Sequence, residues 1–442
     1  MDERVNTRDI TDKLLTFLEN SPTSFHAVEN MAARLRGEGF EELKEADCWS
    51  IEAGGRYFVT RNMSSLIAFR VPGKDFTGFQ IISSHSDSPA FKIKENPEMK
   101  VEGRYVKLNV EKYGGMLCAP WFDRPLSIAG RLVVRTADGL QTKLVNVDRD
   151  LVMIPNLAIH MNRQVNDGYA YNAQSDMLPL YGGEAAAGTL MKTVAQSAGV
   201  AEEDILGHDL YLYNRMKGSV WGAGEEFFSC GRIDDLQCAF GSLEGFLAGG
   251  NPHSVSVHAV LDNEEVGSTT KQGAASTFLL DTLKRLNAAL GRTQEQYLTA
   301  LASSFMVSAD NAHGVHPNYA DKADPTNRPY LNGGIVIKFN ANQKYTTDAV
   351  SAAVFRSICE KACVPVQTFT NRSDMAGGST LGNISNTHVA LNTVDIGLPE
   401  LAMHSPYETG GVLDTEYLIR AAKEFFSTGL KADGDGSYRF VS

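Results

Sequence analysis

The chain has 442 residues, of which 43% are hydrophobic and 21% charged, a composition typical of a globular protein. Its length allows two or three domains. Because a chain of this size can bury a large core without a structural metal, we expect any bound metal to be catalytic. The formal net charge of −12 argues against nucleic acid or an anionic membrane as a partner, because both require basic patches.

Two amphipathic helices are predicted within roughly the first 45 residues. The N-terminal segment carries charges of both signs and lacks the apolar stretch of a secretory signal. Apolar residues recur at helical spacing after Thr11, and again after the segment SPTS (21–24) as far as Gly37. Short β segments at 57–60, 66–71 and 80–83 follow.

The stretch from 89 to 221 has a different pattern, with many short alternating segments and few helix signals. It is typical of a mostly β insertion, with strands predicted at 130–134 and 143–147. From about residue 230, strands alternate with helical segments at 239–248, 277–290, 347–362 and 415–426, which favours an α/β fold with a central sheet. Residues 433–437, rich in glycine and aspartate, are predicted to form a loose tail.

Five apolar segments each lead into acidic or histidine residues. Those residues are, in chain order, His85 and Asp87, then Asp234 and Asp235, then Asp262, Glu264 and Glu265, then Asp310 and His313, and finally His404. Because the carboxyl ends of strands in an open α/β sheet face one crevice, we expect these side chains to converge. Histidine together with carboxylate favours zinc, manganese or cobalt over calcium and magnesium, which prefer oxygen ligands alone.

This combination of residues is suited to hydrolysis by a two-metal site. One carboxylate can bridge two cations, and such a pair polarises a carbonyl and lowers the pKa of bound water. A neighbouring carboxylate that binds no metal can then act as a general base, and the adjacent Glu264 and Glu265 suit that division. Each motif alone also fits a polar loop or a solvated turn, so the metal-site hypothesis depends on their joint occurrence.

The sequence resembles the aspartyl aminopeptidase family of dinuclear metallopeptidases over most of its length. The motifs that carry the resemblance are SHSDSP (84–89), WFDR (121–124), RID (232–234), LDNEEVGS (261–268), SADNAH (308–313), HPNY (316–319) and LAMHS (401–405). LDNEEVGS is the most specific of them. The resemblance implies an aminopeptidase that removes the N-terminal residue from peptides with a free N-terminus and leaves open whether acidic residues are preferred.

The resemblance also implies an architecture and an assembly. An α/β metallopeptidase domain, with a central mostly parallel sheet flanked by helices, would comprise residues 1–88 and 222–442. A β-rich dimerisation domain, residues 89–221, would interrupt it. The implied assembly is a tetrahedral homododecamer built from dimers. Scattered cysteines without a CxxC pair, together with the absence of a signal or an apolar membrane span, predict a cytoplasmic protein.

Carried over residue by residue, the resemblance implies a set of metal ligands. Asp234 would bridge two divalent cations, zinc foremost, with cobalt and manganese as alternatives. His85 and Asp310 would complete one site, and Glu265 and His404 would complete the other.

Further residues acquire roles through the same resemblance. Glu264 would be the base that takes a proton from the attacking water, and Asp87 would steady His85. His160 would reach the active site of a neighbouring subunit. The residues implied around the substrate are His313, Lys338 and Tyr345.

One departure and two alternatives stay open at this point. Asp235 stands where family members commonly have asparagine, and this second carboxylate could alter metal affinity or face away. One alternative is another dinuclear hydrolase, such as a carboxypeptidase or an N-acyl amino acid deacylase, which would recognise a free carboxylate instead of a free amine. The other is a catalytically inactive binding or shell-forming protein, which the loss of any ligand would favour; all five ligands and the base are present.

Overall fold

The structure, a computed structural model, describes residues 3–441. The α-helices, in chain order, are α1 (Glu3–Glu19), α2 (Ser24–Gly37), α3 (Leu190–Ala198), α4 (Ile233–Ala248), α5 (Phe278–Ala289), α6 (Gln294–Ala302), α7 (Ala349–Lys361), α8 (Leu381–Ser385) and α9 (Asp414–Ser427). The strands are β1 (Glu41–Leu43), β2 (Arg56–Arg61), β3 (Ser65–Arg70), β4 (Gly78–His85), β5 (Ala90–Val101), β6 (Tyr105–Tyr113), β7 (Leu126–Thr136), β8 (Gly139–Asn146), β9 (Leu180–Gly183), β10 (Ile205–Asn214), β11 (Ser219–Trp221), β12 (Phe227–Cys230), β13 (Ser254–Leu261), β14 (Phe305–Ala309), β15 (Ala312–His313), β16 (Ile335–Lys338), β17 (Val366–Phe369), β18 (Asn392–Gly397), β19 (Pro399–Leu401), β20 (Glu408–Gly411), β21 (Gly429–Ala432) and β22 (Tyr438–Val441).

The largest sheet, here called the central sheet, has the strand order β1-β2-β3-β13-β4-β14-β18-β16-β17. The four neighbours β13, β4, β14 and β18 run parallel to one another. Every residue of β4 and β13 is buried, because helices cover both faces of the sheet. This arrangement confirms the predicted α/β class with a mostly parallel centre.

Two apolar clusters hold the helices against the two faces of the central sheet. One contains the buried faces of α1, α2, α4, α7 and α9, and the other those of α5 and α6. Leu14 and Leu18 on α1, and Val28 and Leu35 on α2, are at most 2% exposed, as their helical spacing predicts.

A second sheet is built only from strands that lie between residues 90 and 214. Its order is β8-β7-β10-β5-β6-β9, with antiparallel pairing throughout and a separate apolar core. The β-rich character predicted for this stretch is confirmed, although α3 lies within it and was not predicted. The domain boundaries at 88/89 and 221/222 stay a prediction.

A third sheet, of order β11-β12-β20-β19-β15, lies next to the central sheet. Its strand β12 precedes α4, and its strands β19 and β20 flank the loop that contains His404. The prediction that 433–437 form a loose tail is wrong, because these residues are the turn of the β21–β22 hairpin. The turn is closed by a hydrogen bond from the Asp433 N–H to the Ser437 carbonyl, 2.8 Å long.

Among residues 3–441, no helix is both long enough and apolar enough to cross a lipid bilayer. All six cysteines belong to the described part of the chain and are free thiols, of which Cys48 and Cys363 are exposed.

Candidate metal centre

The candidate centre lies at the carboxyl ends of the parallel strands of the central sheet. His85 is the last residue of β4, Asp310 directly follows β14, and Glu264 and Glu265 follow β13. Since β13, β4 and β14 are neighbours, their ends bring these side chains to one edge of the sheet.

The third sheet supplies the remaining acidic and imidazole side chains. Asp234 lies in the first turn of α4, just after β12, and His404 lies between β19 and β20. His313 is on β15, at the end of this sheet. The expectation that all five segments belong to one sheet is therefore wrong for the segment before Asp234, which begins at the end of β12. The segment before His404, residues 394–396, lies on β18 of the central sheet, and the side chains of Asp234 and His404 do converge with the others.

One group of metal-ligating atoms surrounds the His85 ring. The Nε2 atom of His85 lies 3.3 Å from Asp234 Oδ1 and 3.8 Å from Asp310 Oδ1. Potential ligand atoms of His85, Asp234, Asp235 and Asp310 all lie within 4.8 Å of one another. The Asp235 carboxylate does not face away, because its Oδ2 accepts a hydrogen bond of 3.0 Å from the His85 backbone N–H.

A second group surrounds the His404 ring and shares Asp234. The Nε2 atom of His404 lies 3.4 Å from Asp234 Oδ2 and 3.3 Å from Glu265 Oε2. The two carboxylate oxygens of Asp234 thus face two different imidazole rings, one on each side.

The tautomer of the His85 ring favours cation binding on its side of Asp234. The His85 Nδ1 atom lies 3.0 Å from the Asp87 carbonyl oxygen, so this nitrogen must be the donor. A neutral ring then turns the lone pair of Nε2 toward carboxylates, which also carry lone pairs. Only a proton on Nε2 or a cation makes such a contact favourable.

Buried oxygens without partners support the same interpretation. Asp234 Oδ1, Asp235 Oδ1 and Glu265 Oε1 are buried and accept no hydrogen bond within the described chain. Burying a carboxylate without a partner is costly, and a coordinated cation removes the cost. The residues present therefore fit metal ions.

The clustering of acids perturbs the protonation of the site. Burial raises the pKa of Glu264 to about 8; His85 opposes this, and the charge of Asp310 adds to it. Burial opposes the charge on Asp234 as well, but the adjacent imidazoles of His404 and His85 outweigh burial and lower the pKa of this carboxyl. The pKa values of Glu264 and Asp234 are therefore shifted in opposite directions, and such perturbed pKa values are typical of an active site.

Asp87 has more contacts than the sequence predicted. Its carboxylate lies 3.4 Å from His85 Nδ1, in keeping with the expected steadying of that ring. It also accepts hydrogen bonds from the backbone N–H groups of Glu264, at 3.1 Å, and Glu265, at 3.2 Å. The same side chain therefore touches the His85 loop and the turn that carries both glutamates.

Glu408 is a further buried acid at the centre that sequence reasoning did not assign. Its Oε1 accepts from the His404 N–H at 2.8 Å, and its Oε2 accepts from the N–H groups of Ile233, at 2.7 Å, and Asp234, at 3.3 Å. One carboxylate thus binds the backbone of both segments that carry proposed ligands from the third sheet, the one with Asp234 and the one with His404. The only sequence signal was a glutamate four residues after His404.

A cleft opens over the centre. Asp234, Glu264, Glu265, Asp310 and His404 line it. Three residues that the resemblance placed around the substrate line it as well, namely His313, Lys338 and Tyr345.

Lys338 is a buried cation on the wall of this cleft. Its Nζ donates to the Asn311 carbonyl at 2.7 Å and lies 3.6 Å from Asp310 Oδ2. Burial opposes the charge, but Asp310 and Tyr345 raise the pKa of Lys338 above its ordinary value. Burial and the charge of Lys338 together lower the pKa of His313, which lines the same cleft.

His160 is not part of the cleft within one chain. It is exposed and lies among other exposed apolar side chains, Leu157, Ile159 and Met161. The structure of a single chain therefore leaves untested the prediction that it reaches a neighbouring subunit.

The family model described as "Aminopeptidase I zinc metalloprotease (M18)" matches residues 17–426. The chain belongs to this M18 family. The family resemblance drawn from the sequence is thereby confirmed, and the chain is a metallopeptidase of the hydrolase class.

Relatives of this M18 protein match it nearly from end to end. A probable M18 family aminopeptidase 2 of Clostridium acetobutylicum is 47% identical over 431 residues, which are 96% of this chain and 99% of the relative. A protein of the same description from Pseudomonas aeruginosa strain UCBPP-PA14 is 43% identical over 429 residues, 95% of this chain and 98% of the relative.

Solved structures show the same fold. A cryo-EM structure of the Ape4 and Nbr1 complex contains a chain of 35% identity with a TM-score of 0.92, covering 95% of this M18 protein and 86% of that chain. The structure of the S. cerevisiae mApe1 dodecamer has 27% identity and a TM-score of 0.84, covering 95% and 97%.

Proposed function

We propose that this M18 protein is an aminopeptidase that binds two divalent cations, one on each side of Asp234. The observation that carries the proposal is the placement of the two oxygens of Asp234 against two separate imidazole rings, His85 and His404. His85 and Asp310 would be the remaining ligands of one ion, and Glu265 and His404 those of the other. We expect zinc first, because the M18 family is one of zinc metalloproteases. Cobalt and manganese are the alternatives.

When bound, the two cations supply polarisation of the scissile carbonyl and activation of water. Glu264 is proposed as the base that accepts the proton of that water and delivers it to the departing amine. Its backbone N–H is held by Asp87, and its side chain lines the cleft beside the ligands. Asp87 is proposed to steady both His85 and this turn.

Residues on the wall of the cleft are proposed to determine which N-terminal residue of the substrate is preferred. Lys338 uses one N–H on the Asn311 carbonyl and approaches Asp310 with a second, so a third remains for a substrate. We propose that this ammonium receives an acidic side chain, giving a preference for aspartate or glutamate. His313 and Tyr345 line the same wall and are proposed to contact the substrate or the developing oxyanion.

The proposed assembly is a tetrahedral homododecamer built from dimers. The similar structure of S. cerevisiae mApe1 is that of a dodecamer, and exposed apolar side chains flank His160 in the sequence. In this proposal residues 89–221 form the dimerisation domain and bring His160 to the active site of a neighbour, whereas residues 1–88 and 222–442 form the catalytic domain.

The cytoplasm is the proposed compartment. Six free cysteines, two of them exposed, suit a reducing environment better than an oxidising one.

The test is a substrate panel on zinc-, cobalt- and manganese-reconstituted protein. Aspartyl, glutamyl, leucyl and alanyl anilides are compared with N-acyl amino acids and with peptides blocked at the N-terminus. The proposal expects cleavage of free-amine substrates, fastest for acidic residues, and no turnover of the blocked ones. Hydrolysis of N-acyl amino acids alone would favour a deacylase, and no turnover with any metal would favour an inactive binding protein.

The Glu264→Gln variant tests the base. It removes the proton acceptor while keeping the shape, so the metal content stays at the wild-type value and kcat falls by roughly 10²- to 10⁴-fold. Exposed Glu295, changed to Gln, is the control. A Glu264→Gln variant that turns over at the wild-type rate would show that another group moves the proton.

A further inference from the structure

The segment that follows β6 brings the second sheet into contact with the candidate metal centre. Tyr113 is the last residue of β6, and Gly114, Gly115 and Leu117 come just after it. The Leu117 N–H donates to the His404 carbonyl oxygen at 3.1 Å. This end of the second sheet therefore touches the loop of a proposed metal ligand.

Gly114 allows this close approach. Gly114 has φ +75°, and a side chain there would put its Cβ 3.1 Å from Glu265 Cβ. At Gly115 a Cβ would lie 3.8 Å from His404 Nδ1. Backbone of the second sheet is thus packed directly against both Glu265 and His404.

The Tyr113 hydroxyl lies at the middle of a buried hydrogen-bond network. It donates to Asp87 Oδ2 at 2.6 Å and accepts from Asn263 Nδ2 at 2.8 Å. Asp87 in turn accepts from the backbone N–H groups of Glu264 and Glu265. The hydroxyl therefore contacts both side chains that define the turn of the proposed base.

Asn263 combines a left-handed backbone conformation with a side-chain amide that is fully hydrogen-bonded. Its φ of 64° lies in the left-handed region, which asparagine tolerates better than most residues. Its Oδ1 accepts from Thr270 Oγ1 and from Gln272 Nε2, both at 2.7 Å, while its Nδ2 donates to Tyr113. With every polar atom of the amide occupied, the residue directly before Glu264 is held in one orientation.

We propose that Tyr113 is a positioning residue, delivered by the second sheet, that fixes the Glu264–Glu265 turn through Asp87 and Asn263. The hydroxyl does not line the cleft over the metal centre, so it acts through these neighbours and not on the substrate. The proposal rests on the proposed function for its effect on turnover, but its effect on the turn is a property of the folded chain.

The Tyr113→Phe variant removes one oxygen and leaves the ring in place. Amide hydrogen exchange is measured by mass spectrometry on the full-length, zinc-loaded protein, on peptides that cover residues 261–268. We expect this turn to exchange at least 10-fold faster, kcat for an aminoacyl anilide to fall about 10-fold or more, and KM to change by less than threefold. The midpoint of thermal unfolding stays within a few degrees of the wild-type value.

Tyr211→Phe is the matched control. Its ring packs edge-on against Tyr113, with centroids 5.8 Å apart, but its hydroxyl is not part of the network that reaches Asp87. The control is expected to exchange and turn over as the wild type does. Equal effects in the two variants would mean that general packing and not the Tyr113 hydroxyl is responsible, which would overturn the proposal.

A double-mutant comparison provides a second test. If Tyr113 and Asn263 act through the same turn, Tyr113→Phe combined with Asn263→Ala loses little more kcat than the more damaging single change. Losses that multiply, or unchanged exchange and kcat in Tyr113→Phe, would overturn the proposal. A wild-type chain without aminopeptidase activity would instead refute the proposed function, and the exchange rates would still decide whether Tyr113 holds the turn.

Discussion

At the scale of single residues, the candidate centre depends on buried charges that the chain itself does not neutralise. Asp234, Asp235 and Glu265 each have a buried oxygen that accepts no hydrogen bond within the described chain. Lys338 is a nearby cation, and its Nζ is directed at Asp310 and the Asn311 carbonyl, not at these oxygens. The local excess of negative charge accounts for the fit to divalent cations.

Lys338→Met tests the proposed acidic preference. Losing the ammonium removes a charge-assisted hydrogen bond of about 1.5–3 kcal/mol, so kcat/KM for an aspartyl substrate is expected to fall roughly 10- to 150-fold. The value for an alanyl substrate changes much less. Exposed Lys344, changed to Met, is the control. Equal losses for aspartyl and alanyl substrates would assign Lys338 a structural role.

His258 gives the fold a pH dependence that is separate from catalysis. It is fully buried on β13, and burial lowers its pKa from 6.5 to about 3. Below pH 6.5 the unfolded chain binds a proton that the folded chain does not, so stability is lost as the pH falls. At about pH 5 this costs roughly 2 kcal/mol.

Replacing His258 by Phe should remove that cost. The free energy of unfolding of His258→Phe, relative to the wild type, is expected to improve by about 2 kcal/mol between pH 7.5 and pH 5, measured by urea denaturation. Exposed His388, changed to Phe, serves as the control. A relative stability that does not vary with pH would mean that His258 binds its proton equally well in the folded chain.

At the scale of elements, the parallel strands were predictable and the third sheet was not. The apolar runs that end at His85, Glu264 and Asp310 belong to neighbouring strands, as the sequence predicted. The short apolar segment before Asp234 carries no periodicity that distinguishes its sheet, because four to eight apolar residues fit several environments. Its placement next to β20 depends on pairing with residues about 180 positions away.

Local sequence also concealed the supporting contacts. The pairing of Asp87 with the Glu264–Glu265 turn and the three backbone contacts of Glu408 depend on tertiary structure. Helix α3 was missed because it is short, although Leu190 and Val194 lie on one buried face at helical spacing. The β21–β22 hairpin was missed because its turn residues resemble those of a flexible tail.

Glu408→Gln tests whether this carboxylate holds the His404 loop and the Ile233–Asp234 segment together. The amide retains one acceptor oxygen, so either the His404 N–H or those of Ile233 and Asp234 lose their partner. We expect metal affinity to fall by about 10- to 100-fold, as for other residues that orient ligands. The measurement is a competition titration with a chromogenic chelator. The control is Glu360→Gln, since Glu360 is exposed. Equal metal affinities of the Glu408→Gln and Glu360→Gln variants would contradict the account.

At the scale of the whole molecule, the proposed assembly predicts complementation between subunits. If His160 serves a neighbouring active site, His160→Ala and Glu264→Gln subunits are each nearly inactive alone. When the two are co-expressed, sites that combine an intact Glu264 with a neighbour's His160 regain activity. The recovered fraction is measured on purified mixed oligomers of known composition. Mixtures no more active than the sum of the two variants would show that His160 acts within its own subunit or not at all.

The most direct measurement is anomalous diffraction at the zinc absorption edge from crystals of the full-length protein grown without chelator. The account predicts two peaks at each site, one between His85, Asp234 and Asp310 and the other between Asp234, Glu265 and His404. A single peak on one side of Asp234, or none near this carboxylate, would contradict it.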